Sequence, residues 1–236
     1  VHPTERGPAR ERLTRASAGV MKGPLEDSRE YPFLTFRSRT GTFFFMGRPR
    51  NFEADAVVDR AMEAFWTHGY GNTSPAQLAE ATGVGKGSLY NTFGSKRELF
   101  DRALDRYDRQ GVELCLDMLN RPGTTRERLR AWMRFTVDAD LAEPIRRGCM
   151  VVNTATELAG RDAEAARAVA AAQEHMVEAF RLRIEQGQRD GDVRANADAR
   201  AYGEFILNAI MGLRVTAKTA DKTTLYRIID TALTAL

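Results

Sequence analysis

Cysteine and histidine are scarce in this 236-residue chain, which holds Cys115 and Cys149 and only three histidines, His2, His68 and His175. Two distant cysteines cannot build a disulfide framework, and this points to a reducing cytoplasm. With the histidines equally scattered, no structural zinc site is expected. Long apolar runs are missing too: nothing approaches the roughly 18 residues of a membrane span. Even the alanine-rich stretch at 163–172 is broken by Glu164 and Arg167. The first forty residues show no apolar core ending in a small-residue cleavage site, so no secretory signal is expected. After Asn51 there is no alternating strand pattern and no Asn-Gly hairpin. No Gly-rich phosphate loop follows a strand, and no nucleophile lies in an evident set with a base. Glu157 and Asp162 form a carboxylate pair only at a spacing that chance supplies in any helical protein. An enzyme, a membrane protein and a disulfide-stapled scaffold are all poorly served by such a chain, and neither a cofactor nor a metal is expected.

What is present is a globular balance of 43% hydrophobic and 28% charged residues, enough for one or two domains at roughly 150 residues each. The net charge of +3 is uneven. Most of the basic excess falls in residues 1–45, a Pro-, Gly-, Ser- and Arg-containing stretch without helical period that ends in Phe43-Phe44-Phe45. Met46-Gly47-Arg48-Pro49-Arg50 then reads like a natural start. Residues 1–45 are therefore expected to be a mostly disordered extension, with a regulatory arm as the rival reading. A domain over 46–97 and a second over 98–236 follow.

From Asn51 onward the period is helical almost throughout. Val57, Val58, Ala61, Met62 and Phe65 form one stripe up to Gly69. Ser74-Pro75-Ala76-Gln77 reads as a capping box opening a short helix that stops near Gly83. A second short helix covers Lys86 to Thr92, and Ser95-Lys96-Arg97-Glu98 reads as another box, opening a long helix broken at Pro122-Gly123. Further stripes run through Leu129, Trp132, Met133, Thr136 and Val137, and then through Val169, Met176, Val177, Phe180 and Ile184. The last two cover roughly residues 198–217 and 223–236. The expected fold is all-α, with about nine helices.

Residues 74–93, SPAQLAEATGVGKGSLYNTF, place two short helices around a glycine-containing turn, the helix-turn-helix arrangement whose second helix enters the major groove. Leu78, Ala79, Val84, Leu89 and Phe93 would hold the pair together. Gly85, Lys86, Gly87, Ser88, Asn91 and Thr92 face outward: small residues permit close approach, Lys86 can neutralise phosphate or reach guanine, and Ser88, Tyr90 and Asn91 offer hydrogen bonds. Ser74 and Gly85 stand at helix N-termini that present backbone N–H groups to phosphates. Thr73, Gln77 and Lys96 complete the candidate contacts, and Arg48 and Arg50 are either flexible surface charges or a basic arm on the backbone or in the minor groove.

The run Phe65-Trp66-x-x-Gly69-Tyr70-x-x-Thr73-Ser74, then Leu78-Ala79, Gly83-Val84, Gly87-Ser88-Leu89-Tyr90, Phe93 and Lys96-x-x-Leu99, resembles the TetR family of transcriptional regulators over about fifty residues. The resemblance implies a homodimer in which a three-helix DNA-binding head sits on a helical body. The body would dimerise through its last two helices and bind a small effector, apolar or electrophilic, and the most frequent outcome in the family is repression at a palindromic operator. Arg147-Gly148-Cys149 resembles a branch with Gly-Cys at the start of the sixth helix, some of whose members sense electrophiles through that cysteine. Lys218 stands where those members carry a lysine. Arg146 and Arg147 beside Cys149 would favour its thiolate, while a buried, inert thiol is the plain alternative. Trp132, Phe135, Met150, Met176, Phe180 and Phe205 are candidates for an adaptable apolar pocket, although residues at such spacing are core first. Two other functions stay open: a small-molecule-binding or enzymatic helical protein with a vestigial head, and a nonspecific architectural DNA binder.

Overall fold

The computed structural model describes residues 50–235, with the backbone alone for 50–53 and 235. The expectations for residues 1–45, and for Arg48 and the Arg50 side chain, lie outside the described residues. Nine α-helices follow one another, and no strand occurs among the described residues: α1 (Arg50–His68), α2 (Pro75–Thr82), α3 (Lys86–Phe93), α4 (Lys96–Leu119), α5 (Thr125–Ala142), α6 (Met150–Thr154), α7 (Ala163–Asp190), α8 (Ala199–Thr216) and α9 (Lys222–Ala232). A π turn, Ala155–Ala159, continues α6, and a 3-10 turn, Leu233–Ala235, follows α9. None of these helices is long and apolar enough to cross a membrane.

Side-chain caps set most of the boundaries. At α2 both halves of the Ser74/Gln77 box close and Pro75 opens the helix, while Gly83 ends it at a φ of 70° that a Cβ would strain. The box expected at Ser95 is only half made: its hydroxyl accepts from the Glu98 N–H, but Glu98 does not reach back. A complete box that the sequence reading passed over starts α5, at Thr124 and Glu127. Asp162, Asp198 and Asp221 cap α7, α8 and α9.

The head closes around Leu78, Leu89, Phe93, Leu99, Phe100 and Phe65, all nearly or wholly buried. Phe65 and Phe100 meet edge-on with ring centres 5.1 Å apart. The boundary expected at residues 97–98 falls in the first turn of α4, which runs unbroken into the body. There Leu129, Met133, Met150, Phe180, Ile184, Ile206, Leu213, Leu225 and Ile229 fill the centre between α5, α7, α8 and α9. The apolar segment expected at 149–158 divides into α6 and the π turn, in which hydrogen bonding widens from i+4 to i+5.

A polar cluster is set into this apolar body. Arg214 of α8 makes a two-pronged pair with Asp140 of α5, at 2.9 and 2.7 Å. It also donates to the Tyr107 hydroxyl of α4 (3.0 Å) and to the Gly148 carbonyl (3.0 Å). Trp66 of α1 donates its indole N–H to that same carbonyl at 2.8 Å. Gly148 has a φ of 72°, and a Cβ there would stand 3.1 Å from the Arg214 carbonyl oxygen, so both backbone and space call for glycine.

Candidate nucleic-acid interface

The α2–α3 pair presents one face to solvent. Gly85, Lys86, Gly87, Ser88, Asn91 and Thr92 are exposed, while Leu89 and Phe93 of the same helix are buried. This split follows from sequence, because residues 89 and 93 lie one turn apart on the inward side. Gly85 is the N-cap of α3 and supplies no capping side chain. Neither Gly85 nor Gly87 has a positive φ, and a Cβ at either would meet nothing within 4 Å. Inside the protein nothing requires glycine at these two positions.

The other candidates divide by their structural duties. Ser74 and Gln77 are exposed but bonded to each other's backbone in the cap, at 2.7 and 3.2 Å. Tyr90 is half-buried, and burial raises its phenol pKa. Thr73 corrects the sequence reading: it is wholly buried, and its hydroxyl donates to the Gly69 carbonyl at 2.6 Å, so it holds the turn before α2 rather than facing outward. In a tight turn a short hydroxyl side chain satisfies backbone in this way. Lys96 lies with its ammonium 4.3 Å from the centre of the Tyr70 ring. Burial lowers its pKa, and Glu157 opposes that fall.

In the body, Cys115 is wholly buried and burial pushes its thiol pKa well up. Cys149, half-buried, is the N-cap of α6 and lies against the Tyr107 hydroxyl. The arginines expected to flank its sulfur are engaged elsewhere. Arg146 donates to the carbonyls of Ala217 and Ala220, and Arg147 pairs with Glu63 while covering the Trp66 ring at 3.9 Å. The guanidinium of Arg214 bonds the same Tyr107 hydroxyl that Cys149 lies against. Burial alone would lower the pKa of Arg214, but Tyr107 and Asp140 oppose this and hold it charged. Lys218 points to Asn153, at 3.3 Å.

Among the apolar candidates, Trp132, Met150 and Phe180 are buried core, and Phe135 stacks on Trp132 with ring centres 5.9 Å apart. Met176 is half-buried. Phe205 is 44% exposed on the outer face of α8, which corrects its expected place in the interior. A surface groove of about 710 Å³ lies along α9, lined by Lys222, Tyr226, Arg227 and Asp230 among others, and shares no residue with the candidate set.

Comparison with known proteins agrees with both halves. Residues 57–103 match the family model described as bacterial regulatory proteins, tetR family. Residues 125–233 match a tetracyclin repressor-like C-terminal domain. The chain is 30% identical over 194 residues to the HTH-type transcriptional regulator YezE of Bacillus subtilis, covering 81% of this chain and 100% of that one. It is 31% identical over 176 residues to the HTH-type transcriptional repressor ComR of Escherichia coli, covering 73% and 82%. Among solved structures it is similar to the TetR family regulator CifR, a cysteine variant complexed with 26-bp operator DNA. That match has 35% identity and a TM-score of 0.70, and covers 80% of this chain and 99% of that one.

Proposed function

The chain belongs to the TetR family of bacterial transcriptional regulators, and from that premise we propose that it is a cytoplasmic repressor. It binds a roughly palindromic operator as a homodimer and is released by a small apolar or electrophilic effector acting on the body. Residues 46–97 form the head and 98–236 the effector-binding and dimerisation body. Each α3 enters a major groove, the two about one helical turn or a multiple of it apart.

The carrying observation is the outward face of α3. Gly87 weakens a short helix without serving its packing, and Gly85 caps it without a side chain, both with open space around them, which is understandable where a groove wall must come close. Lys86 between them supplies positive charge for phosphate. Dimerisation through α8 and α9 is supported by Phe205, Val215 and Ile228, large apolar side chains left 38–51% exposed. The partial exposure of Cys149 against the full burial of Cys115 supports covalent capture at Cys149 as the electrophilic route. ComR is named a repressor, and CifR is solved on its operator; both support this sign and partner.

Footprinting of the DNA upstream of its own gene tests the proposal: protection of a symmetric site is expected, and equal affinity for random DNA would refute it. On that site, Lys86→Ala should reduce the slope of log affinity against log salt by about one unit; an unchanged slope would remove Lys86 from the phosphate contacts.

Gly87→Ala gives a sharper expectation, because its two effects have opposite signs. Alanine should stabilise α3 by up to about 1 kcal/mol. The same methyl stands on the groove face, and operator affinity should fall about tenfold, as 1.4 kcal/mol of lost contact does. Thermal melting and a gel-shift titration on one preparation measure both. A variant that melts higher and binds as well as the parent would show that the bare face is not needed for DNA.

A further inference from the structure

The turn between α1 and α2 is held by a carboxylate from outside the head. Glu157, in the middle of the π turn, accepts the Tyr70 N–H on Oε2 at 3.0 Å and the Gly71 N–H on Oε1 at 2.6 Å. Two glycines keep this seat open. A Cβ at Gly69 would stand 2.8 Å from Oε2, and one at Gly71 would stand 2.9 Å from Oε1. Gly69 has a φ of 81°, so its backbone calls for glycine in any case. Gly71 has no positive φ, and Glu157 is all that its missing Cβ would meet within 4 Å. The absence of a side chain at residue 71 therefore serves the carboxylate and not the head's own packing.

Neighbouring contacts complete a seam. Asp162, which caps α7, pairs with Arg97 in the first turn of α4, and this holds its carboxyl down to about 2. Arg147 pairs with Glu63 of α1. The head is thus joined to the body through the unbroken α4 on one side and gripped at its α1–α2 turn on the other. The buried Trp66–Gly148 bond and the Arg147–Glu63 pair hold α1 to the body, and Glu157, a charged acceptor for two N–H donors, fixes the α1–α2 turn that leads into the helix-turn-helix.

We propose that Glu157 is a positioning residue for operator binding: it fixes the angle of the head on the body and so sets the half-site spacing that the two heads of the dimer recognise. The proposal rests on the dimeric operator-binding reading above. Glu157 is only half-buried and Gly71 is exposed, so water can take over the two N–H groups when the carboxylate is removed. The head then stays folded and tied through α1 and α4, but its α1–α2 turn, and with it the angle of the helix-turn-helix, is no longer fixed.

The test uses the footprinted operator, two derivatives with one base pair inserted or removed at its centre, and a duplex carrying a single half-site. One base pair turns one half-site by roughly 34° against the other at 10–10.5 bp per turn. The full chain should lose at least about tenfold in affinity on either derivative, a change of 1.4 kcal/mol. Glu157→Ala and Gly71→Ala, whose methyl displaces the carboxylate, should bring the three spacings to within about threefold of one another. Half-site affinity and melting temperature should stay at parental values. A spacing preference as sharp as the parent's in both variants would overturn the proposal. So would a parallel fall in half-site affinity and melting temperature, which would make Glu157 part of the head's fold. Failure of the parent to bind any of these duplexes would refute the operator-binding reading itself.

Discussion

Asp140→Ala is expected to destabilise the protein by about 3–5 kcal/mol, the usual cost of stranding one member of a buried ion pair. The Asp140 and Arg214 side chains are 5% and 13% exposed, so water cannot replace the lost carboxylate. Tyr107 and the Gly148 carbonyl would remain as partners of the guanidinium, but neither carries a compensating charge. Joint replacement, Asp140→Leu with Arg214→Met, should recover much of the loss, because well-packed apolar residues often substitute for a buried pair at little cost. Urea denaturation of the parent and the two variants measures this. A single variant within about 0.5 kcal/mol of the parent would place the pair among surface-like contacts. The consequence extends to the head, since the carbonyl that Arg214 holds is also the acceptor for Trp66.

Phe205→Asp should have the second large effect. A carboxylate at residue 205, on the outer face of α8 that also carries the uncovered Val215, stands where the proposed partner copy packs. Burying it without a counter-charge is costly, so the dimer should give way to 26.4-kDa monomers. Two linked heads gain roughly 10²–10⁴ in avidity over one, and operator affinity should fall by at least about a hundredfold. Sedimentation and circular dichroism together test this, with helicity expected to stay unchanged because the α8 core side, Ile206, Ile210 and Leu213, is untouched. A variant that remains dimeric would move the interface elsewhere.

The fold was legible because its signals are local. Helical period and the Ser74 cap are read from neighbours three and four residues apart, and so are the buried and outward sides of α3. The Thr124-x-x-Glu127 box was equally visible in sequence and was passed over. Where the decisive partner is distant, sequence reading ran out. Glu157 looked like a chance carboxylate because its partners are backbone N–H groups 86 and 87 residues away, and a backbone donor leaves no mark in sequence beyond the paired glycines at 69 and 71. Arg146 and Arg147 are neighbours of Cys149 in sequence, but their guanidinium groups go to the carbonyls of Ala217 and Ala220 and to Glu63. Phe205 fell on an apolar period, but a period cannot distinguish the side that packs inward from the side kept for another molecule.

Mechanical leverage follows from the length of α4. Its 24 residues make a rod about 36 Å long at 1.5 Å per residue. Pivoting such a rod by about 5° at its body end carries the far end roughly 3 Å, close to the 3.4 Å between successive base pairs along one strand. A displacement in the body too slight to disturb its packing is therefore multiplied, at the tip of the rod, into an error of one step on the DNA ruler.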